Sequence, residues 1–130
     1  MSEKPTINVT AAVVERDGRY LVTRRQDGVH LEGYWEFPGG KLEAGESHAD
    51  GLRREMREEL DVEAEVGEEI FAVSHTYEDR TVELHFYACE LAGEPAPQQG
   101  QQMRWVTPDE MRALPFPPAD EELIRRITKA

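Results

Sequence analysis

Three glutamates near the middle of the chain, Glu55, Glu58 and Glu59, are spaced so that they would share one side of a helix. At about 100° per residue, Glu58 lies about −60° and Glu59 about +40° from Glu55 around the helix axis. The apolar residues of the segment fall beside them, at about 60° to 140°, and are Ala49, Leu52, Met56 and Leu60. Hard cations such as Mg²⁺ and Mn²⁺ prefer oxygen ligands, so three carboxylates at the border of a buried face would suit a divalent metal site.

A charged, solvent-exposed helix is the alternative interpretation of this segment. Such helices usually place opposite charges at i,i+4, and each pair contributes ~0.2–0.5 kcal/mol. Here Glu55 and Glu59 form a like-charged i,i+4 pair, and Arg53 and Arg57 form another. This arrangement slightly opposes helix formation, whereas a bound cation would turn the repulsion between the glutamates into attraction.

The elements that would position these glutamates follow from the sequence pattern. Apolar residues recur every three or four positions after Ser47, and Asp50 follows Ser47 by three, which predicts a helix from about residue 48 to residue 60. The segment before it, WEFPGGKLEAGE, combines three glycines and a proline with one short apolar stretch. The preceding segment, 26–34, contains Gly28 and Gly33 and has little apolar periodicity. We therefore predict structured loops leading into the helix.

The rest of the chain reads as strands with two further helices. INVTAAVVER and RYLVTRR flank Asp17-Gly18, which predicts an antiparallel hairpin. Two more strands are predicted in EEIFAVSHTY and TVELHFYACEL, on either side of a polar turn at 78–80. A loop is predicted at 93–100 and a short strand in MRWVT. Helices are predicted from Pro108 to about Ala113 and in DEELIRRI. We expect an α/β (α+β) fold with helices packed outside mixed or antiparallel strands, in one domain spanning 1–130.

Charge and cysteine content limit the partners of the chain. The net charge is −12 and the pI is about 4.7, whereas surfaces that bind nucleic-acid phosphates are usually basic. A small anionic substrate would need local arginines or bound cations to offset the negative charge of the chain. Cys89 is the only cysteine, which excludes an intramolecular disulfide and fits a reducing compartment. No apolar run approaches the ~18 residues needed to span a bilayer. We predict a cytoplasmic monomer or homodimer that binds neither polymeric nucleic acid nor a membrane.

One longer motif surrounds the three glutamates. The spacing of its residues resembles the Nudix box, the signature of the Nudix hydrolases. These residues are Gly40, Glu46, the run Arg54-Glu55-Met56, the pair Glu58-Glu59 and Val62. The resemblance implies the Nudix fold, with a mixed β-sheet sandwiched between α-helices. It also implies a loop-helix-loop that holds Mg²⁺, with Mn²⁺ as the alternative, against the diphosphate of a nucleotide-linked substrate.

The resemblance also implies a role for each matching residue. The implied metal ligands are the Gly39 carbonyl and the carboxylates of Glu55, Glu58 and Glu59. Arg54 would orient the glutamate carboxylates, and Glu46 would support the loop and the helix from outside the metal site. These roles are expectations carried over from the family.

Two positions depart from the family pattern. Asp61 stands where the box has a glycine in a left-handed conformation, which aspartate tolerates at a cost of about 1 kcal/mol. Gln99 stands where related enzymes often carry a further glutamate for metal binding or proton abstraction, and an amide cannot accept a proton at neutral pH. The general base is therefore left open between Glu55 and Glu58.

Two further segments, WEFPGGK and LPFPPADEELI, resemble the MutT branch of the family. That branch hydrolyses nucleoside triphosphates to the monophosphate and pyrophosphate. The resemblance places Arg24, Arg25 and Lys41 near the phosphates, and Tyr77 and Arg80 near the base. Solvent exposure of these charges is the alternative.

Asp120 follows the FPPA run, where members specific for 8-oxo-dGTP have an asparagine. An asparagine both donates and accepts hydrogen bonds, whereas an ionised aspartate only accepts, as suits the amino group of cytosine. The PAD ending recurs in members that act on CTP and 5-methyl-dCTP, and a protonated Asp120 could still imitate asparagine. Asp120 is also expected to cap the following helix.

Three functional hypotheses result. The leading one is a Mg²⁺-dependent nucleoside triphosphate pyrophosphohydrolase that removes oxidised or modified nucleotides. The second keeps the metal site but takes ADP-ribose, a nucleotide sugar or a dinucleoside polyphosphate. The third is a non-catalytic nucleotide sensor, against which the complete set of helix glutamates argues.

Overall fold

The computed structural model describes residues 4–26, 28 and 32–128, so the loop predicted at 26–34 lies partly outside the described residues. In chain order the strands are β1 (Thr6–Val13), β2 (Glu15–Arg16), β3 (Arg19–Arg24), β4 (Trp35–Glu36), β5 (Gly39–Lys41), β6 (Ala64–Thr76), β7 (Thr81–Leu91) and β8 (Met103–Val106). The helices are α1 (His48–Leu60), α2 (Pro108–Ala113) and α3 (Glu121–Ile127), and a 3₁₀ turn (Pro118–Asp120) runs directly into α3.

The strands form two sheets. The first is a mixed four-stranded sheet in the order β5-β1-β7-β6, in which β1 and β7 are parallel and the other pairs are antiparallel. The second is antiparallel and is centred on β3, which pairs with β2, β4 and β8. The short strands β4 and β5, which the sequence pattern did not predict, bring the WEFPGGK segment against β3 and β1.

The hairpin predicted at Asp17-Gly18 joins β2 to β3. Both turn residues have positive φ, 53° for Asp17 and 77° for Gly18, as a two-residue type I′ turn requires. The sequence analysis predicted that the whole segment INVTAAVVER forms the first strand of this hairpin. That prediction was wrong for β1, which lies in the other sheet between β5 and β7. Residues 10–13 are all buried because β1 is a central strand with both faces covered.

Helices cover β1 from both sides, as the predicted sandwich requires. On one side Ala12 and Val14 belong to a buried cluster with three residues of α1, which are Leu52, Met56 and Leu60. On the other side Ala11 and Val13 belong to a cluster that contains Met111 of α2 and Leu123 and Ile124 of α3. Among the described residues, no helix is long and apolar enough to cross a membrane.

Both ends of α1 follow the sequence prediction. The Ser47 hydroxyl accepts a hydrogen bond from the Asp50 amide at 3.1 Å and caps the first turn. At the other end Asp61 is left-handed, with φ 49° and ψ 46°, and its amide donates to the Arg57 carbonyl at 3.1 Å. The helix therefore begins and ends where the box would place it.

Candidate active site

A pocket of about 520 Å³ lies where the two sheets and the C-terminal end of α1 meet. It is lined by all six side chains predicted to bind substrate, which are Arg24, Arg25, Lys41, Tyr77, Arg80 and Asp120. Gly39 and Glu59, two of the predicted metal ligands, also line it. Residues from five separate parts of the chain thus meet in one cavity.

Arg54 organises the carboxylates on α1 and on the loop before it, beside the pocket residues Gly40 and Lys41. Its guanidinium binds Glu46 through Nε at 2.7 Å and Nη2 at 2.9 Å, and binds Glu55 through Nη1 at 2.8 Å. Nη1 also lies 3.4 Å from the Glu58 carboxylate, and Nη2 donates to the Lys41 carbonyl at 3.1 Å. One cation therefore links the loop before α1, the strand β5 and the helix glutamates.

Glu46 is ionised by its surroundings. Its two hydrogen bonds from Arg54 and one from the Glu43 amide at 2.8 Å lower its pKa to about 2. The hydrogen bonds of Arg54 with Glu46, and then with Glu55 and Glu58, raise the pKa of its guanidinium. The pair thus remains charged throughout the physiological range.

Glu55 and Glu59 form the like-charged pair that the helical spacing predicts. The Glu55 side chain is 15% exposed, and its carboxylate packs so closely on Gly40 that a Cβ at residue 40 would collide with it. Burial raises the pKa of Glu59 well above its usual range, and a hydrogen bond with Glu55 and the charge of that residue raise it further. Glu58, by contrast, is 56% exposed beside Arg54.

This donor set fits a divalent cation. Two largely buried carboxylates repel each other there, and the surroundings favour the protonated form of Glu59, so a cation would stabilise the ionised pair. In the part of the chain that the structure describes, no three His, Cys, Asp or Glu side chains are already arranged around one point. The structure brings Glu55 and Glu59 together and places Glu58 at the outer edge.

Asp120 also lines the pocket and is only 4% exposed. Burial raises the pKa of its carboxyl to about 7, and the charge of Glu36 adds to the effect. The expected helix cap is wrong, because the Asp120 side chain makes no capping hydrogen bond to α3. The 3₁₀ turn before α3 places the residue in a helical backbone conformation, with φ −92° and ψ −10°, instead of the extended one that a cap adopts.

Glu36 is a pocket residue that the sequence analysis missed. It belongs to β4 between two buried aromatic residues, Trp35 and Phe37, and its carboxylate binds the Arg25 guanidinium at 2.8 Å. Burial raises the pKa of Glu36, and Arg25 partly opposes that effect. A charged residue between two large apolar ones in a short strand was the available signal.

The loop before β8 supplies donors to the C-terminal end of α1. The Ala96 amide donates to the Leu60 carbonyl at 2.8 Å, and the Gln98 amide donates to the Glu59 carbonyl at 2.9 Å. The Gln101 side chain adds a bond to the Glu59 carbonyl at 3.2 Å. These bonds satisfy carbonyls that a helix end leaves unpaired, and they hold Gln99 at the pocket wall.

The chain belongs to the Nudix hydrolases, since the family model of the NUDIX domain matches residues 9–126. The chain is 38% identical over 119 residues to the CTP pyrophosphohydrolase of Escherichia coli, covering 91% of this chain and 88% of that protein. It is 34% identical over 127 residues to the 8-oxo-dGTP diphosphatase of Haemophilus influenzae, covering 96% and 93%. The solution structure of the MutT protein of Staphylococcus aureus is 33% identical, with a TM-score of 0.80 over 97% of this chain and 98% of that one.

These similarities confirm the predicted family, fold class and enzyme class. Nudix hydrolases generally use divalent metal ions, which agrees with the carboxylate pair on α1. The names of the Escherichia coli and Haemophilus influenzae relatives give CTP and 8-oxo-dGTP as substrates, and these differ in the base.

Proposed function

We propose that the protein is a Mg²⁺-dependent pyrophosphohydrolase that converts nucleoside or deoxynucleoside triphosphates to the monophosphate and pyrophosphate. Its substrates would be oxidised or modified nucleotides of the 8-oxo-dGTP or CTP and 5-methyl-dCTP type. The observation that carries the proposal is one pocket that is lined both by Glu59, which pairs with Glu55 on α1, and by the buried Asp120. The substrates named for the relatives support it.

The proposed metal site uses the donors that converge on the loop and the helix. Its ligands would be the Gly39 carbonyl, Glu55, Glu58 and Glu59. Bound Mg²⁺, or Mn²⁺, would supply Lewis-acid stabilisation of the phosphates and lower the pKa of a coordinated water. Release of Glu58 from its 3.4 Å contact with Arg54 would free its carboxylate for this purpose.

The remaining residues divide between the two ends of the nucleotide. Arg24, Arg25 and Lys41 would bind the phosphates and offset the acidic charge of the chain locally. Glu55 or Glu58 would accept the proton of the attacking water, because Gln99 cannot. Arg54 and Glu46 would hold these carboxylates in place without touching the substrate.

Tyr77, Arg80 and Asp120 would contact the base. The pKa of about 7 allows Asp120 to be present in both protonation states near neutral pH. A neutral carboxyl donates and accepts, and an ionised one only accepts, so both named substrate types could be bound. The proposal includes a cytoplasmic location, where nucleotide pools turn over, and action on free nucleotides rather than on polymeric nucleic acid.

A substrate panel with product analysis tests this function. The protein would be incubated with Mg²⁺ and 8-oxo-dGTP, dCTP, 5-methyl-dCTP, ADP-ribose, a nucleotide sugar and a dinucleoside polyphosphate, and the products separated by anion exchange. We expect monophosphate and pyrophosphate from the triphosphates and no turnover in EDTA. Turnover confined to the diphosphate-linked compounds would instead favour the second hypothesis. Tight nucleotide binding without any product would favour the sensor.

A further inference from the structure

Two histidines that the proposed function does not use lie against each other where α1 begins. His48 is the first residue of α1 and His85 belongs to β7, and their ring centres are 4.5 Å apart. Because Val82 and Leu84 of β7 line the pocket, the alternation of the strand places Leu84 and His85 on opposite faces of the sheet. Glu55 comes seven residues after His48, about 10 Å along the helix. The histidine pair is therefore separate from the α1 carboxylates.

Glu69 of β6 fixes the ring of His85. Its Oε2 lies 2.7 Å from His85 Nδ1, and the His85 side chain is 19% exposed. A carboxylate only accepts hydrogen bonds, so Nδ1 donates and the lone pair of the neutral imidazole lies on Nε2. A carboxylate at one ring nitrogen is also how proteins orient a histidine that binds metal through the other nitrogen.

Tyr87 of β7 fixes the ring of His48 in a similar way. The Tyr87 hydroxyl oxygen lies 2.6 Å from His48 Nδ1, and the two rings meet edge to face at 5.8 Å and 86°. A tyrosine hydroxyl either donates or accepts, so it can take the Nδ1 proton of His48 and leave the lone pair on Nε2. Both imidazoles are thus held at Nδ1, and each can offer Nε2 to a cation.

The distance between the two rings suits a shared transition metal. Two imidazoles that bind one tetrahedral zinc ion at about 2.0–2.1 Å have their ring centres about 5 Å apart. The observed 4.5 Å is close to that distance, so a small rotation of the side chains would suffice. Imidazole nitrogen suits Zn²⁺, Cu²⁺ and Ni²⁺, whereas Mg²⁺ prefers oxygen. The histidine pair and the α1 carboxylates therefore differ in the metals they favour.

We propose that His48 and His85 form a second cation site, in which the two Nε2 atoms bind one zinc ion, or Cu²⁺ or Ni²⁺ in its place. Glu69 and Tyr87 hold the rings from outside the site. Water completes the coordination, since the described residues contain no ready group of three His, Cys, Asp or Glu ligands. The ion connects the start of α1 to β7. The site goes beyond the proposed function, because it takes a different ligand and needs no nucleotide.

Calorimetry with Zn²⁺ tests the site in the full chain, with excess Mg²⁺ present to compete for the α1 carboxylates. We expect one Zn²⁺ per chain, bound at least about tenfold more weakly by His48→Gln and by His85→Gln. Glu69→Gln keeps both ligands and should weaken binding about tenfold. His75→Gln is the control, because His75 packs on Tyr77 at 4.6 Å and should not affect the affinity. An affinity that either ligand variant leaves unchanged overturns the site, and so does a wild type that binds no Zn²⁺.

A measurement on the wild-type protein covers the case in which a histidine variant does not fold. In long-range ¹H–¹⁵N spectra, the Nε2 resonances of His48 and His85 should shift together as Zn²⁺ is added, and those of His75 should not. A shift of only one of the two overturns the shared site. Neither experiment contains a nucleotide, so an absence of turnover would reject the proposed function alone.

Discussion

The guanidinium of Arg54 and the carboxylate of Glu46 form a two-point ion pair, with nitrogen-oxygen distances of 2.7 and 2.9 Å. The Glu46 side chain is 14% exposed and the Arg54 side chain 21%. Since Arg54 also binds Glu55, the pair connects the loop before α1 to a proposed metal ligand. The geometry of the metal site should therefore depend on a residue that does not bind metal.

Replacement of Arg54 by lysine tests this dependence. A lysine keeps the charge but cannot donate to Glu46 and Glu55 simultaneously in a planar arrangement. We expect kcat/KM for the triphosphate substrate to fall by about 10- to 100-fold. Arg53→Lys is the control, because Arg53 pairs with Asp50 on the outer side of α1. Equal effects of the two substitutions would contradict the assigned role.

The lowered pKa of Glu46 predicts how the free energy of unfolding depends on pH. Its folded pKa of about 2 lies below the ordinary value of 4.5, so between these values the unfolded chain binds more protons. Its stabilising contribution is therefore complete above the ordinary value and is lost as pH falls toward about 2. Urea unfolding between about pH 5 and pH 2 should show a smaller loss of stability in Glu46→Gln than in wild type. Glu65→Gln, an exposed change on β6, should follow the wild-type curve.

Replacement of Glu59 by glutamine should change stability and metal binding in opposite directions. At neutral pH the metal-free protein should melt at a higher temperature, because folding raises the pKa of Glu59 above its unfolded value and so costs the wild type free energy, whereas glutamine is neutral in both states. Calorimetry with Mn²⁺ should show at least about tenfold weaker binding, since one ligand has lost its charge. Glu63→Gln changes an exposed glutamate that pairs with Arg57 and should alter neither the metal affinity nor the repulsion. A lower melting temperature with unchanged Mn²⁺ affinity would refute the assignment of Glu59.

Gly39 and Gly40 should respond differently to substitution by alanine. A Cβ at residue 39 would overlap the Thr10 carbonyl oxygen of β1, which is backbone, so Gly39→Ala should lower the melting temperature strongly. The three atoms nearest to a Cβ at residue 40 all belong to the carboxylate of Glu55, at the end of a flexible side chain. Gly40→Ala should thus fold normally but lose turnover, because Glu55 is displaced. A circular dichroism melt with a turnover assay separates the two outcomes.

Local signals predicted much of the fold. Three features that depend only on residues within a few positions are found as predicted. They are the Ser47 cap, the left-handed backbone at Asp61 and the start of α2 at Pro108. The Nudix box likewise predicted the α1 segment, because its spacing reflects a single helix and its flanking loops. Arg25 and Tyr77 line the pocket, and their predicted contacts with the phosphates and the base remain predictions.

Features that depend on distant contacts could not be predicted in this way. The sheet that contains β1 is determined by pairing with β5 and β7, and β7 lies more than 70 residues later in the chain. The backbone conformation at Asp120, which prevents the expected cap, depends on how the 3₁₀ turn packs. Glu36 reaches the pocket wall only because β4 pairs with β3 and so brings its carboxylate to Arg25.

The loop from Ala96 to Gln101 donates to the Glu59 and Leu60 carbonyls the hydrogen bonds that a further turn of α1 would otherwise supply. Any attempt to graft another loop here, for example to engineer new substrate preferences, would strip the Glu59 and Leu60 carbonyls of their donors. A successful graft would have to bring amide groups that reach the same two oxygens. The part of the enzyme that looks easiest to exchange is thus tied to the helix that carries its proposed metal ligands.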